Sequence, residues 1–225
     1  MKYKAIFLDF YGTCVAEDDV IIERIVSHIA SESKVEALEV LRSWQFEDLC
    51  EKSYGETFKT QQQIEIITLQ DVLDKFGVNT DVNELTEDLF NYWGSPPIYA
   101  DTLEFLNNQS VPIYIVSNID NEFLEEALQA IDFKFAGIIT SEDVQSYKPR
   151  TEIYQRALSL CGGNAEGVIH IGDSFRMDVI GAANCGIDSI WIDRKNRENK
   201  HPNMVQKAST LSDINWANQR MESTR

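Results

Sequence analysis

Ala5-Ile6-Phe7-Leu8-Asp9-Phe10-Tyr11-Gly12-Thr13 decides how this chain folds. Four apolar residues run into a lone carboxylate. A run of that length bounded by glycine reads as a strand buried on both faces of a parallel sheet. Asp9 then stands at the carboxyl end of the strand, the edge where open α/β sheets place their ligands. Gly12 lets the backbone approach a small anion, and Thr13 adds a hydroxyl beside it. The same residues also read as a strand followed by an ordinary Asp-containing turn, and the chain downstream separates the two readings.

Four further apolar runs follow, at residues 111–116, 136–139, 168–171 and 189–192. They alternate with helix-like segments at 101–108, 122–131, 151–161 and 176–185, with no hairpin turn signals between them. That alternation predicts βαβ units, an α/β Rossmann-like parallel-sheet core with helices on both faces. Residues 207–211 read as a final edge strand and turn, and 222–225 as a frayed end.

Between the first strand and the rest, residues 17–92 carry apolar positions at three- and four-residue steps: Val20, Ile21, Ile25 and Ile29, then Ile64, Ile67, Val72 and Phe76. Gly77 and Gly94-Ser95-Pro96-Pro97 break the pattern. An inserted all-helical cap at 16–95 is expected, with the core at 1–15 and 96–225 and hinges near Ala16 and Gly94–Pro97. Trp44, Phe46, Tyr54 and Phe58 are expected in the cap core.

The chain has 225 residues, 43% hydrophobic and 25% charged, as for an ordinary globular protein. A net charge of −17 argues against nucleic acid, whose phosphates are bound through Lys and Arg. An anionic substrate needs a local positive centre. Cys14, Cys50, Cys161 and Cys185 form no metal-ligand spacing, Cys161 and Cys185 lie in apolar segments and are expected to fill core positions, and a reduced, cytoplasmic setting is expected. No run approaches a membrane span. His28, His170 and His201 make no ligand cluster, and His170 on its strand reads as structural. The oligomeric expectation is a monomer or homodimer.

The strand ends collect Asp9, Ser117-Asn118 and Asp173, and Lys148 sits in the loop after the third strand. Carboxylates meeting one lysine and one hydroxyl suit a hard divalent cation and a phosphate. In that reading Asp9 is the nucleophile, Lys148 and Ser117 hold phosphoryl oxygens, and Thr13 and Asn118 help to bind substrate.

These stretches resemble the four motifs of the haloacid dehalogenase superfamily, in its order: Asp9-Phe10-Tyr11-Gly12-Thr13, Ser117-Asn118, Lys148-Pro149, and Gly172-Asp173-Ser174 with Asp178 and Gly181-Ala182. The resemblance implies a mobile cap and a Mg²⁺ site built from Asp9, Asp173, Asp178 and the Tyr11 backbone carbonyl. It implies a phosphatase acting on a small phosphorylated metabolite.

One position departs. The superfamily's phosphatases usually carry a second Asp, the general acid and base, two residues after the nucleophile. Tyr11 stands there, and a phenol of pKa about 10 is a poor proton shuttle near neutrality. The superfamily's 2-haloacid dehalogenases carry Tyr at this position and need no metal. Arg42 resembles their halide-receiving arginine, and Tyr154 an active-site tyrosine, although Tyr154 at helical spacing also reads as core. Gly172-Asp173-Ser174 is the metal-binding form of the fourth motif, and Phe175 stands where a dehalogenase has Asn. Two carboxylates meeting without a cation would repel strongly. A 2-haloacid dehalogenase and a non-catalytic relative that keeps the phosphate and Mg²⁺ site are the competing expectations.

Overall fold

The computed structural model describes residues 3–198 and 205–216; His201 and residues 222–225 lie outside that set. Six strands, β1 (Ala5–Leu8), β2 (Ile113–Ser117), β3 (Gly137–Thr140), β4 (Val168–Gly172), β5 (Asp188–Ile192) and β6 (Gln206–Ala208), form one sheet in the order β3-β2-β1-β4-β5-β6. Every pairing is parallel, with Leu8 opposite Ile115 on one side and Ile171 on the other. The predicted Rossmann-like core is therefore present, and the terminal strand is shorter than its expected span.

Alternation along each strand divides the core. Ile6, Leu8, Ile113, Ile115, Ile169 and Ile171 face α6 (Thr102–Asn107) and α7 (Asn121–Leu128) through Phe105, Leu106, Phe123 and Leu124. Phe7, Tyr114, Val116 and Val168 face α9 (Glu152–Leu160) through Ile153, Ala157 and Leu158, and α8 (Ser141–Val144) precedes it. Each fully buried side chain of this size contributes about 1.5–3 kcal/mol.

Residues 19–94 contain five α-helices: α1 (Asp19–Ser33), α2 (Ala37–Ser43), α3 (Phe46–Lys52), α4 (Gln61–Phe76) and α5 (Val82–Gly94). Thr60 and Gln63 form a reciprocal capping box at the start of α4, and Gly77 ends it in the left-handed conformation. The two chain crossings into this insertion lie side by side: Val15 bridges Ile98, and Ala16 N–H donates to the Pro97 carbonyl at 2.8 Å. The insertion docks on the core through Phe90 and Trp93 against Phe123, 5.8 and 5.4 Å between ring centroids. Asp120, in the loop after β2, accepts from the first two amides of α4, Gln61 at 2.6 Å and Gln62 at 2.9 Å. A core carboxylate thus caps an inserted helix whose orphan N–H groups and positive dipole end favour it.

Two expectations are corrected. Tyr54 does not pack inside the insertion, and Phe58 packs at the seam between the insertion and the core, against Cys50, Ile64 and Tyr147. Tyr54 is exposed under the Arg150 guanidinium, and Phe58 stacks on Tyr147 of the core at 5.2 Å. The partners Arg150 and Tyr147 belong to the sheet domain. The fully buried cysteines are Cys14 and Cys50, whereas Cys161 and Cys185 are partly buried at the edge of the α9 side.

Candidate active site

The strand order reverses between β1 and β4, and ligands of open α/β sheets bind in the crevice at such a switch point. Asp9 follows β1, and Asp173 follows β4. One carboxylate oxygen from each of Asp9, Asp173 and Asp178 lies within 4.8 Å of the others. Asp178 comes from a single π-helical turn, Phe175–Ile180, that opens on the Ser174 cap.

Two glycines permit this approach. Gly12 has φ +77°, and a Cβ there would sit 2.7 Å from the Asp173 carboxyl carbon. A Cβ on Gly172 would overlap the Asp178 carboxyl.

Lys148 binds the group together. Its ammonium donates to Asp9 Oδ1 and Asp178 Oδ1, both at 2.6 Å, and to the Val116 carbonyl at 3.1 Å. Lys148 is 2% exposed, Asp9 5% and Asp178 1%. Thr13 donates its hydroxyl to Asp9 Oδ2 at 3.2 Å. Asp178 accepts a bond from the Ser174 amide on its other oxygen and meets His170 Nε2 at 2.9 Å. The Asp173 carbonyl accepts from Trp191 and Arg197, and the Arg197 guanidinium also lies 3.9 Å from Asp173 Oδ2. Asn118 forms a two-way amide pair with the Lys148 backbone, accepting at 2.8 Å and donating at 3.2 Å. Ser117 is buried at the end of β2.

Lys148 pairs with two of the three carboxylates, Asp9 and Asp178, and Arg197 approaches the third, so their charges differ. Burial pushes the Asp173 carboxyl well up, and Asp9 and Asp178 push it further. Burial also raises Asp9, though Lys148 pulls it back. Burial acts upward on Asp178 too, but Lys148 and His170 outweigh it and hold that carboxyl below the usual range. Burial works against the Lys148 charge, and Asp178 and Asp9 more than restore it. Hard oxygen donors carrying excess negative charge are the donor set a divalent cation requires, so these residues fit such an ion.

The other expected residues fall in different places. The Tyr11 hydroxyl donates to the Trp93 carbonyl at 2.6 Å, at the end of α5. Burial, followed by Asp18 and Asp9, raises that phenol further. Arg42 is exposed on α2 and lines a cavity of about 670 Å³ formed by the insertion, with Met177 reaching it from the core. Tyr154 is buried in the α9 layer and donates its hydroxyl to the Met177 carbonyl at 2.7 Å, so its core reading holds. The contact of His170 with Asp178 was not legible: the sequence marks it only as a polar residue in an apolar strand.

Sequence reasoning also passed over Glu65 of α4. It is 3% exposed, its Oε1 has no hydrogen-bond partner, and it lines the same cavity as Arg42. Burial, with Asp18 next in effect, pushes its carboxyl from 4.5 up to about 8. Cys50 of α3 also faces it. Because the folded value is raised, the stability tied to neutral Glu65 is complete below about pH 4.5 and is lost as pH rises towards 8. Glu65→Gln, whose amide stays neutral, is expected to match the parent near pH 5. It should gain on the parent by up to about 1.4 kcal/mol per pH unit above that. Urea unfolding across this range checks it, and a pH-independent difference would refute it.

Fold and site together define an α/β protein with an acidic centre at the switch point of a Rossmann-like sheet. The chain belongs to the haloacid dehalogenase-like hydrolase family, whose sequence profile matches residues 3–186. It is 32% identical over 101 residues to "(S)-2-haloacid dehalogenase 4A" of Burkholderia cepacia, covering 44% of this chain and 43% of that protein. It is 32% identical over 98 residues to "Phosphoglycolate phosphatase" of Salmonella choleraesuis, covering 43% and 38%. The matched region therefore spans less than half the length of these curated relatives. Its fold is similar to that of the putative HAD-hydrolase YfnB from Bacillus subtilis, solved bound to magnesium. The TM-score is 0.73 at 17% identity, covering 94% of this chain and 96% of that one. Both dehalogenases and phosphatases are relatives, and the chain shares their family. No helix among the described residues is long and apolar enough to cross a membrane.

Proposed function

We propose that this hydrolase is a Mg²⁺-dependent phosphatase of a small phosphorylated metabolite, with Asp9 as nucleophile. The observation that carries the reading is the set of three carboxylates whose oxygens lie within 4.8 Å around one lysine, a charge imbalance that a divalent cation relieves. Asp9 and Asp173, with the Tyr11 backbone carbonyl, would hold the ion. Asp178, whose oxygens already accept from Lys148 and Ser174, would orient Lys148. Mg²⁺, when bound, neutralises phosphoryl oxygens and aligns them with the nucleophile.

The Asp9 carboxylate attacks phosphorus as the bond to the leaving oxygen breaks. Lys148 and Ser117 steady the phosphoryl oxygens, with Thr13 beside Asp9. Water then hydrolyses the aspartyl phosphate, releasing phosphate and restoring the carboxylate. Residues 16–95 act as the cap that covers this step, a role favoured by the paired crossings and by the Asp120 contact to α4. The decisive test is hydrolysis of 4-nitrophenyl phosphate. Turnover is expected with Mg²⁺ and none in EDTA, and undiminished turnover in EDTA removes the reading.

The Tyr11 proton is engaged on Trp93, so the leaving group departs without a strong acid. Aryl phosphates are expected to exceed alkyl phosphates in kcat/KM by roughly 10²-fold or more, the share that a general acid usually supplies. A flat dependence on leaving-group pKa across an ester series contradicts this.

The same residue favours a second reading, a metal-independent 2-haloacid dehalogenase, because halide leaves without a proton. Chloride release from 2-chloropropionate in EDTA would support that reading in place of the first.

A further inference from the structure

Two cavities meet above the strand ends. The smaller, about 150 Å³, reaches Tyr11 and Asn118, and shares Glu17, Asp18, Gln61 and Trp93 with the larger. The larger, about 670 Å³, is within the range of small-molecule sites. The smaller cavity thus joins Tyr11, two residues after Asp9, to the larger space.

The walls of that space are acidic. Five carboxyl side chains line it against one guanidinium, that of Arg42, which is exposed. Glu17 is engaged by Lys195 at 2.5 Å. Asp18 accepts the Trp93 indole N–H at 2.7 Å. Glu65 alone is both deeply buried and left with an unpartnered oxygen, a costly arrangement unless a ligand completes it. Trp44 and Trp93 contribute aromatic surface beside these carboxyls.

Carboxylate together with indole is a donor set for an organic cation, because ring faces and anions both attract it. It repels a small organic anion such as a haloacid. We propose that the larger cavity receives an ammonium group on the substrate's leaving portion, with Glu65 as its counter-charge and Trp44 and Trp93 as its walls. Glu65 holds its proton near neutrality, so binding of the cation releases that proton to solvent. The leaving-group assignment rests on the phosphatase reading, but binding of the cation does not.

The test uses 4-[2-(trimethylammonio)ethyl]phenyl phosphate and its carbon isostere 4-(3,3-dimethylbutyl)phenyl phosphate. The two-carbon spacer keeps their phenol pKa values close. With Mg²⁺ present, the parent protein is expected to prefer the cationic ester by about tenfold in kcat/KM, the scale of one desolvated cation–aromatic contact. Glu65→Gln is expected to bring the ratio near unity. A second arm measures tetramethylammonium binding by calorimetry, also with Mg²⁺, and needs no turnover. Glu65→Gln should weaken it about tenfold. If neither ester is hydrolysed yet the ammonium binds in a Glu65-dependent way, the phosphatase reading fails and the pocket assignment stands. Equal kcat/KM for the two esters overturns the proposal. So does ammonium binding that is unaltered in a Glu65→Gln protein that unfolds at or above the parental temperature near pH 6.

Discussion

Asp9→Asn is expected to lower turnover by on the order of 10⁴-fold or more, as loss of a covalent nucleophile does. An amide oxygen neither attacks phosphorus well nor leaves again as a carboxylate. The fold should survive the change. Asn keeps an oxygen for the Lys148 ammonium, now 2.6 Å from Asp9 Oδ1, and Lys148 keeps its second partner Asp178. Removing the Asp9 charge also removes a repulsion that helps to raise the Asp173 carboxyl. In EDTA the variant should therefore unfold at the parental temperature or above it. The checks are single-turnover kinetics on an aryl phosphate and thermal unfolding in the same buffer. Residual turnover above roughly a hundredth of the parental rate would mean that Asp9 is not the attacking group.

Lys148→Met carries the largest expected stability effect. The thioether chain fills much of the same space, so the change isolates the charge. Lys148 is 2% exposed and stands between Asp9 and Asp178, with Asp173 beside them. Removing it leaves buried carboxylates without their cation, a defect that costs about 3–5 kcal/mol. The loss should be greatest in EDTA near neutral pH. It should shrink as Mg²⁺ is added, because an ion that binds only the folded state stabilises it by mass action. It should shrink again as pH falls and protons take the place of the lysine charge on the carboxylates. Denaturant unfolding with EDTA, with Mg²⁺ and at pH 5 tests the three expectations together. A loss that Mg²⁺ leaves untouched would mean that the carboxylates do not share an ion.

Much of this site was legible because its members lie at strand ends, where a local pattern announces them. Ile6 to Leu8 marks β1 and so marks Asp9; Val168 to Ile171 marks β4 and so marks Asp173. Parallel strands buried on both faces are continuous apolar runs, and the residue that breaks each run is the one at the ligand edge. Lys148 was legible as a lysine before proline in the loop after β3. The cysteines and the aromatics of the insertion were read less well. Aromatic residue type marks Tyr54 and Phe58 as candidates for a core but not which body they pack against, and they meet Arg150 and Tyr147.

The sequence by itself determined the parallel α/β core, the helical stretch inserted after the first strand, and which carboxylates and lysine stand at the sheet edge. These follow from short-range period and composition. The tertiary structure alone decided that the Tyr11 hydroxyl is engaged by the Trp93 carbonyl 82 residues away. It alone decided that His170 supports Asp178, that Asp120 caps α4, and that Glu65 lines a cavity and is buried with an unpartnered oxygen. The reason is physical: a hydrogen bond or an unpaired charge depends on which surfaces desolvate each other, and no local pattern records the partner across the gap.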